Sequence, residues 1–377
     1  MPFALRDAMV SLACRPLGIP FRLLHRPSSL ATPHSILIIK PCCIGDVLLA
    51  TPVVAALRRA FPEVRLDFAV GPWSRAMVEN NPHLDGIVDC GRVGSGPCSW
   101  REYLHLVRRI RARRYDACFV LDRSPLITLL PFLAGIPQRI GLDSQGRGFS
   151  LTVKVPVAGT KHEAELYLDA LRAVGIEIRE PKLEFYSTEE DRHYARNLLE
   201  EQQAGSRERI VVVIHPGGGV NPGMSISAKR WPPERFARLA DRLIKEGVQV
   251  VLVGGPGDKS ISEAVKGAMH GRVLDLTGEL SWGQFGALLE EANLFIGHDT
   301  GAMHLAVAVG TPVVAIFGPS DPRMYGPCGK GVALWHDVGC NPCFVRGRWR
   351  EDCHEFRCIE AVTVEEVLEA ALALLNS

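Results

Sequence analysis

Two short, wholly apolar runs, each ending in a loop of glycine or polar residues, constrain this chain more than any other feature. Ile36-Leu37-Ile38-Ile39 runs into Lys40-Pro41-Cys42-Cys43-Ile44-Gly45-Asp46, and Ile210 to Ile214 runs into His215-Pro216-Gly217-Gly218-Gly219. Such runs fit strands covered on both faces, as in a parallel sheet. After the first, the spacing predicts a helix from about Val47 to Ala60 and strands at Val64 to Val70, Gly86 to Asp89 and Ala117 to Leu121. Trp100 to Arg113 reads as a helix whose basic side is solvated. After the second, Pro232 to Glu246 reads as a helix with proline at its start. Strands are expected at Val248 to Val253, Val273 to Leu276, Leu294 to Ile296 and Val313 to Phe317. Strands alternating with helices imply a parallel sheet covered on both faces. The pattern restarts beyond the polar, partly helical stretch Tyr186 to Arg209, and 377 residues suffice for two domains. The expected fold class is therefore α/β, with two Rossmann-like doubly wound domains facing across a cleft. Ligands in such sheets sit beyond the carboxyl ends of the strands.

The formal net charge is +1, so there is no global basic field and nucleic acid is not an expected partner. No apolar run approaches the roughly 18 to 20 residues of a membrane span. Ser11-Leu12-Ala13-Cys14 resembles a lipoprotein cleavage site, but Asp7 precedes it and only Ala8 to Ala13 could form the apolar region. The expectation is a cytoplasmic protein with mostly reduced thiols. Residues 1–34 carry Arg6, Arg15, Arg22 and Arg26 against Asp7, interleaved with Leu12, Leu17, Phe21, Leu23 and Leu24. This basic amphipathic extension has two readings: peripheral association with an anionic membrane, or a helix packed on the first domain.

Three segments can carry chemistry. In the first loop, Asp46 either caps free amides of the following helix or faces a ligand at the sheet's carboxyl edge. Gly45 permits a tight turn or close ligand approach. The loop has neither a GxGxxG nor a Walker pattern, which disfavours dinucleotide and P-loop chemistry. In the second, the glycine loop with Gly217 and Gly218 leads to Ser225, Ser227, Lys229 and Arg230, where amides, hydroxyls and a cation can bind phosphate. Trp231-Pro232-Pro233 reads as helix entry and packing. In the third, Gly297-His298-Asp299-Thr300-Gly301-Ala302-Met303-His304 opens a helix, so Asp299, Thr300 and the amides near Gly301 stand where an anion or sugar hydroxyl would bind. Taken alone, Asp299 is equally a cap and His304 a core histidine.

Ile44-Gly45-Asp46 with Thr51-Pro52, His215-Pro216-Gly217 with Lys229-Arg230-Trp231-Pro232, and Asp299-Thr300-Gly301 with His304 occur in one order. Together, across about residues 35 to 377, they resemble glycosyltransferase family 9, the heptosyltransferases of the lipopolysaccharide inner core. The resemblance implies a GT-B fold, an acceptor on the first domain, a nucleotide sugar on the second, and inversion without a metal or other cofactor. With the basic extension over 1–34, the expected organisation is an acceptor domain over 35–190 and a donor domain over 191–360. A C-terminal helix over 361–377 would cross back to the first domain; the plainer alternative keeps it on the second. Carried over residue by residue, Asp46 is the general base. Lys229 binds the donor phosphates, Ser225 and Ser227 offer hydroxyls to them, and Thr300 and Gly301 contact phosphate. Asp299 holds sugar hydroxyls, with His304 in the same motif. The Leu280 backbone falls near adenine and Asp258 near the ribose. The donor implied is a nucleotide-diphosphate sugar, ADP-heptose foremost, and the acceptor a lipid-linked glycan such as the lipopolysaccharide core. A protein or other glycan acceptor, and a binding protein without turnover, are the alternatives. Cys42 and Cys43 depart from the small hydroxyl or polar residues common at those positions, and a thiol is a poorer hydrogen-bond partner.

Four cysteines cluster late: Cys340, Cys343, Cys353 and Cys358, with His354 beside Cys353. The C-x2-C spacing leaves structural zinc, reduced thiols and disulfides open; no catalytic metal is expected.

Overall fold

The computed structural model describes residues 9–17, 21, 33–178, 180–202, 210–222, 224–345, 348–349, 353 and 355–377. The chain divides into two units, Met1–Lys182 and Leu183–Ser377. The division falls earlier than the expected 190. Helix α7 (Glu189–Gln202), in the stretch read as a junction, packs on α10 (Trp282–Glu291) and so belongs to the second unit.

The first unit holds β1 (Ser35–Ile39), β2 (Arg65–Val70), β3 (Gly86–Asp89), β4 (Ala117–Val120), β5 (Gln138–Asp143) and β6 (Val153–Pro156) in the order β3-β2-β1-β4-β5-β6. All neighbours are parallel. The helix expected from Val47 to Ala60 is two helices, α2 (Ile44–Leu49) and α3 (Thr51–Ala60), meeting at Ala50. Pro52 has no amide to continue the ladder, and the Thr51 hydroxyl donates to the Leu48 carbonyl at 2.7 Å instead. Helix α4 (Trp100–Arg113) starts on a Ser99–Glu102 capping box and buries Tyr103, Leu106, Val107 and Ile110 against Leu37, Ile39 and Val120. Helix α5 (Pro125–Leu133) shares that core, and α6 (Glu163–Arg172) packs against α2 and α3.

The described part of the N-terminal extension forms α1 (residues 9–17). It is docked on the first unit: Ser11 and Cys14 are buried, Ser11 donates to Gln145 at 3.1 Å, and Phe21 stacks edge-on to Phe132 with centroids 4.7 Å apart. Arg6, Asp7, Arg22, Leu23, Leu24 and Arg26 lie outside the described residues.

The second unit repeats the plan. Strands β7 (Val211–His215), β10 (Gln249–Leu252), β11 (Leu274–Asp275), β12 (Leu294–His298), β13 (Val313–Ile316) and β14 (Gly331–Leu334) take the order β11-β10-β7-β12-β13-β14, all parallel. A two-residue hairpin, β8 (Val220–Asn221) and β9 (Met224–Ser225), stands outside the sheet. Helix α8 (Pro233–Lys245) buries Phe236, Leu239 and Leu243.

The C-terminal helix α14 (Val364–Leu375) joins this second core, not the first. Val364, Val367, Leu368 and Ala371 are buried with Leu243, Val314 and Ile316, and the Trp231 indole donates to the Val362 carbonyl at 2.9 Å. The helix's apolar face is satisfied by α8 and the second sheet, as in the plainer alternative. The expectation that follows is that Leu368→Ala costs the second unit about 2 kcal/mol or more. Denaturant unfolding of the variant checks this; an unchanged midpoint would contradict the packing.

Candidate active site

The strand order of each sheet reverses once, between β1 and β4 and between β7 and β12. At such switch points the flanking loops part and leave room for a ligand beyond the carboxyl edge. Asp46 lies at the first, and Lys229, Asp299 and Thr300 lie at the second, whereas Leu280 follows the edge strand β11 and Ser225 belongs to the β8-β9 hairpin.

In the first unit, Lys40 leaves the end of β1 and is buried to 5% exposure. Its ammonium lies 3.0 Å from the Asp46 carboxylate and 3.6 Å from Asp122, which follows β4. Burial works against the Lys40 charge, but the two carboxylates outweigh it, and Lys40 titrates above an ordinary lysine. Asp46 lies in the first turn of α2, but the cap position belongs to Cys43, whose side chain caps nothing. The Asp46 carboxylate, about one-third exposed at 34%, accepts no backbone amide among the described residues; it faces Lys40 and solvent. The capping reading of Asp46 therefore loses its physical basis. Gly45 sits inside the helix rather than in a left-handed turn. Cys42 and Cys43 are paired as a disulfide between adjacent residues.

Sequence reasoning missed the groups around this pair. Arg123 is ion-paired with buried Glu163, which outweighs the desolvation of its guanidinium and strengthens its hold on the proton. Tyr167 is fully buried, with its ring 5.8 Å from the Lys40 ammonium and its hydroxyl unpartnered. Burial, then the charges of Asp46 and Glu163, push its phenol well above its ordinary range, so it is neutral. The available signal was a polar cluster, Asp122-Arg123, directly after an apolar strand.

In the second unit the glycine loop is clamped by Asp258. Its carboxylate accepts from the amides of Gly218 at 3.0 Å and Gly255 at 2.9 Å, and His215 lies 3.6 Å away. Burial alone would raise this carboxyl, but His215 and the two amides hold it far below the usual range. A Cβ on Gly217 would overlap Asp258, and Gly218, at φ +91°, would put one 2.7 Å from the Thr300 methyl. Only glycine fits this approach.

Lys229 and Asp299 form a buried pair, Nζ to Oδ2 at 2.6 Å, with a second bond from Nζ to the Asp299 carbonyl at 3.1 Å. Ser320, which sequence reasoning missed, donates to the same carboxylate at 2.5 Å. Burial would raise the Asp299 carboxyl; Lys229, His304 and Ser320 hold it below its ordinary value. The Lys229 ammonium also lies 4.4 Å from the Phe344 ring centre. Two of its three donors are used, leaving one free. Thr300 opens α11 (Gly301–Val309) without a side-chain cap, and its hydroxyl is buried and unpartnered, as is Nδ1 of His215. His304 is buried one turn in. Ser225 and Ser227 are exposed and Leu280 is half-buried before α10. Among the described residues no group of three or more His, Cys, Asp or Glu is arranged to hold a metal ion. Cys340, Cys353 and Cys358 carry free thiols, Cys343 is buried, and His354 lies outside the described residues.

His298, also missed, joins the three segments. Its Nε2 accepts from the Trp231 amide at 2.8 Å while Nδ1 faces the Gly217 carbonyl at 3.1 Å. These partners require the neutral tautomer with the proton on Nδ1. Desolvation lowers its pKa to about 3. The signal was a lone histidine closing an apolar strand.

The family model for glycosyltransferase family 9 (heptosyltransferase) matches residues 103–354. The chain belongs to that family. It is 28% identical over 353 residues to lipopolysaccharide heptosyltransferase 2 of Escherichia coli K12, covering 90% of this chain and 98% of that protein. It is 26% identical over 306 residues to lipooligosaccharide heptosyltransferase 2 of Haemophilus influenzae, covering 78% and 86%. The solved structure of E. coli ADP-heptose lipopolysaccharide heptosyltransferase II superposes with a TM-score of 0.71 at 26% identity, covering 91% of this chain and 98% of that one. A family 9 glycosyltransferase from Veillonella parvula gives 0.79 at 24% identity, covering 93% and 99%. The protein is thus a glycosyltransferase of the GT-B fold, built of two Rossmann-like units.

Two outcomes follow for this family 9 enzyme. Lys229→Ala leaves the buried Asp299 without its counter-charge and should cost about 3 to 5 kcal/mol, most of it recovered in Lys229→Ala/Asp299→Ala. Chemical denaturation of both variants measures this, and a single-variant loss under about 1 kcal/mol would show the pair is not sealed from water. The second outcome concerns pH. The unfolded chain protonates His298 near its ordinary pKa of about 6.5, whereas the folded one refuses the proton until about 3. The stabilisation is whole above pH 6.5 and falls as pH drops toward 3, by up to about 1.4 kcal/mol per unit. His298→Gln should flatten that acid limb; an unaltered limb would refute the neutral, buried imidazole.

Proposed function

We propose that this enzyme transfers a heptose from ADP-heptose to a lipopolysaccharide-core acceptor, inverting the anomeric centre, with Asp46 as general base. The relatives' names supply the substrates: the curated proteins it resembles are lipopolysaccharide and lipooligosaccharide heptosyltransferases, and the solved relative is titled an ADP-heptose enzyme. The observation that carries the base assignment is the state of Asp46, a part-exposed carboxylate at the switch point, anchored by Lys40 and capping nothing. Such a group can take the proton from an incoming hydroxyl as the glycosidic bond forms. Lys40 supports the role by fixing the carboxylate's position.

Donor binding falls to the second unit. The free donor of Lys229, the unpartnered Thr300 hydroxyl and the amides opening α11 are suited to a diphosphate, and they offset the charge that grows on the leaving group. Exposed Ser225 and Ser227 can add hydroxyls, Asp299 a sugar contact, and the Leu280 backbone an adenine contact. Asp258 acts by holding Gly217 and Gly218 in shape beneath the ligand. A lipid-linked acceptor would bring the enzyme to the cytoplasmic face of the inner membrane.

Asp46→Asn tests the mechanism. The asparagine keeps the size of the side chain, so folding and donor affinity should persist while turnover, read as ADP release with saturating donor, falls about 10² to 10⁴-fold. A folded variant that keeps most of its turnover would remove Asp46 as the base.

A further inference from the structure

The first unit carries a set of exposed large apolar side chains at one edge. Trp73 follows β2, Trp100 opens α4 after β3, and Leu126 opens α5 after β4; they are 46%, 68% and 44% exposed. All three lie at the carboxyl edge of the sheet; β2 and β4 flank β1, whose own loop leads to Asp46, and β3 lies outside β2. Trp100 and Leu126 are neighbours through Tyr103, whose ring meets Trp100 edge-on at 5.7 Å and whose hydroxyl donates to the Leu126 carbonyl at 2.7 Å.

Helix α4 extends this rim with charge. Its buried residues, Tyr103, Leu106, Val107 and Ile110, face the core. On the solvent side, Trp100, Leu104, Arg108 and Arg111 follow one another at helical spacing in a single exposed stripe. Arg101 and His105 lie beside it. The acid of this helix, Glu102, is occupied at the Ser99 amide, so nothing on α4 neutralises the arginines of the stripe. A solvated helix has no need of an exposed tryptophan and leucine at its start. An aromatic and apolar end continued by arginines matches the headgroup region of an anionic bilayer, where indole rings and basic side chains both gain.

We infer that the carboxyl rim of the first unit, with Trp73, Trp100, Leu104 and Leu126 at its edge and Arg108 and Arg111 behind, docks the enzyme on an anionic lipid surface. The surface would present the loop of Asp46 toward the bilayer, where a lipid-anchored acceptor projects its glycan. This rests on the proposed reaction only in expecting a lipid-linked acceptor; the lipid contact itself needs no acceptor.

The test is co-sedimentation of the full chain with acceptor-free vesicles of phosphatidylcholine containing about one-third phosphatidylglycerol, paired with turnover on a soluble, deacylated acceptor. The wild type should bind these vesicles, bind pure phosphatidylcholine weakly, and be released by high salt. Arg108→Glu/Arg111→Glu should weaken vesicle binding by more than about tenfold, since each basic residue near the surface contributes roughly fivefold. Trp100→Ala/Leu104→Ser should weaken it as well, with turnover on the soluble acceptor unchanged in both. Absence of wild-type binding to anionic vesicles overturns the inference. So does binding that requires the acceptor in the vesicle, or binding that Leu12→Glu in α1 abolishes while both α4 variants retain it. Failure of Asp46→Asn to slow turnover would sink the mechanism and leave vesicle binding untouched, so the two ideas fail separately.

Discussion

Each unit places a buried lysine against an aspartate at the point where the strand order of its parallel sheet reverses. Lys40 meets Asp46 at 3.0 Å and Lys229 meets Asp299 at 2.6 Å. A buried ammonium is costly unless a carboxylate faces it, so each pair fixes the two segments that supply it. The pairs differ in one respect that decides their use. Asp299 is sealed, at 6% exposure, and takes bonds from both Lys229 and Ser320, whereas Asp46 keeps 34% of its side chain open. A closely held carboxylate fixes the segments around it, whereas a part-open one stays accessible from solvent. The same pairing thus yields a closely held anchor in one unit and a part-open carboxylate in the other.

The strands that build these switch points were legible because a strand buried on both faces is an apolar run. Thus β1, β7, β12 and β13 could be read to within a residue or two. Strands β5 and β6 were not, because Arg139, Asp143 and Lys154 interrupt their apolar residues. The break at Ala50 was hidden because Thr51-Pro52 begins a new helix as readily as it interrupts one. The C-terminal helix shows a further limit: its apolar stripe says that it packs, while Trp231 and Leu243 decide where.

The site followed the same division. Residues in a glycine or helix-opening motif, such as Lys229, Asp299 and Thr300, could be named from order alone. Groups that act through tertiary contact could not. Lys40, Asp122 and Tyr167 come from β1, β4 and α6, and no local pattern links them. Ser320 and His298 have meaning only once β12 and β13 are paired beside β7.

His298 and Asp258 explain why the second switch point is formed before any ligand arrives. A loop with adjacent glycines gains flexibility that a binding site must then remove, and ordering it during binding would subtract from affinity. Here the ordering is done by folding. Asp258 takes the amide of Gly218, His298 meets the carbonyl of Gly217, and the same imidazole takes the amide of Trp231, two residues beyond Lys229. Trp231 is in turn held by the C-terminal segment through Val362. The glycine loop and the lysine segment are therefore tied to one neutral imidazole, and their spacing is set by a ring of fixed size. An ionised His298 could not accept the Trp231 amide, and this makes the depressed pKa a structural requirement of the loop as well as a consequence of burial.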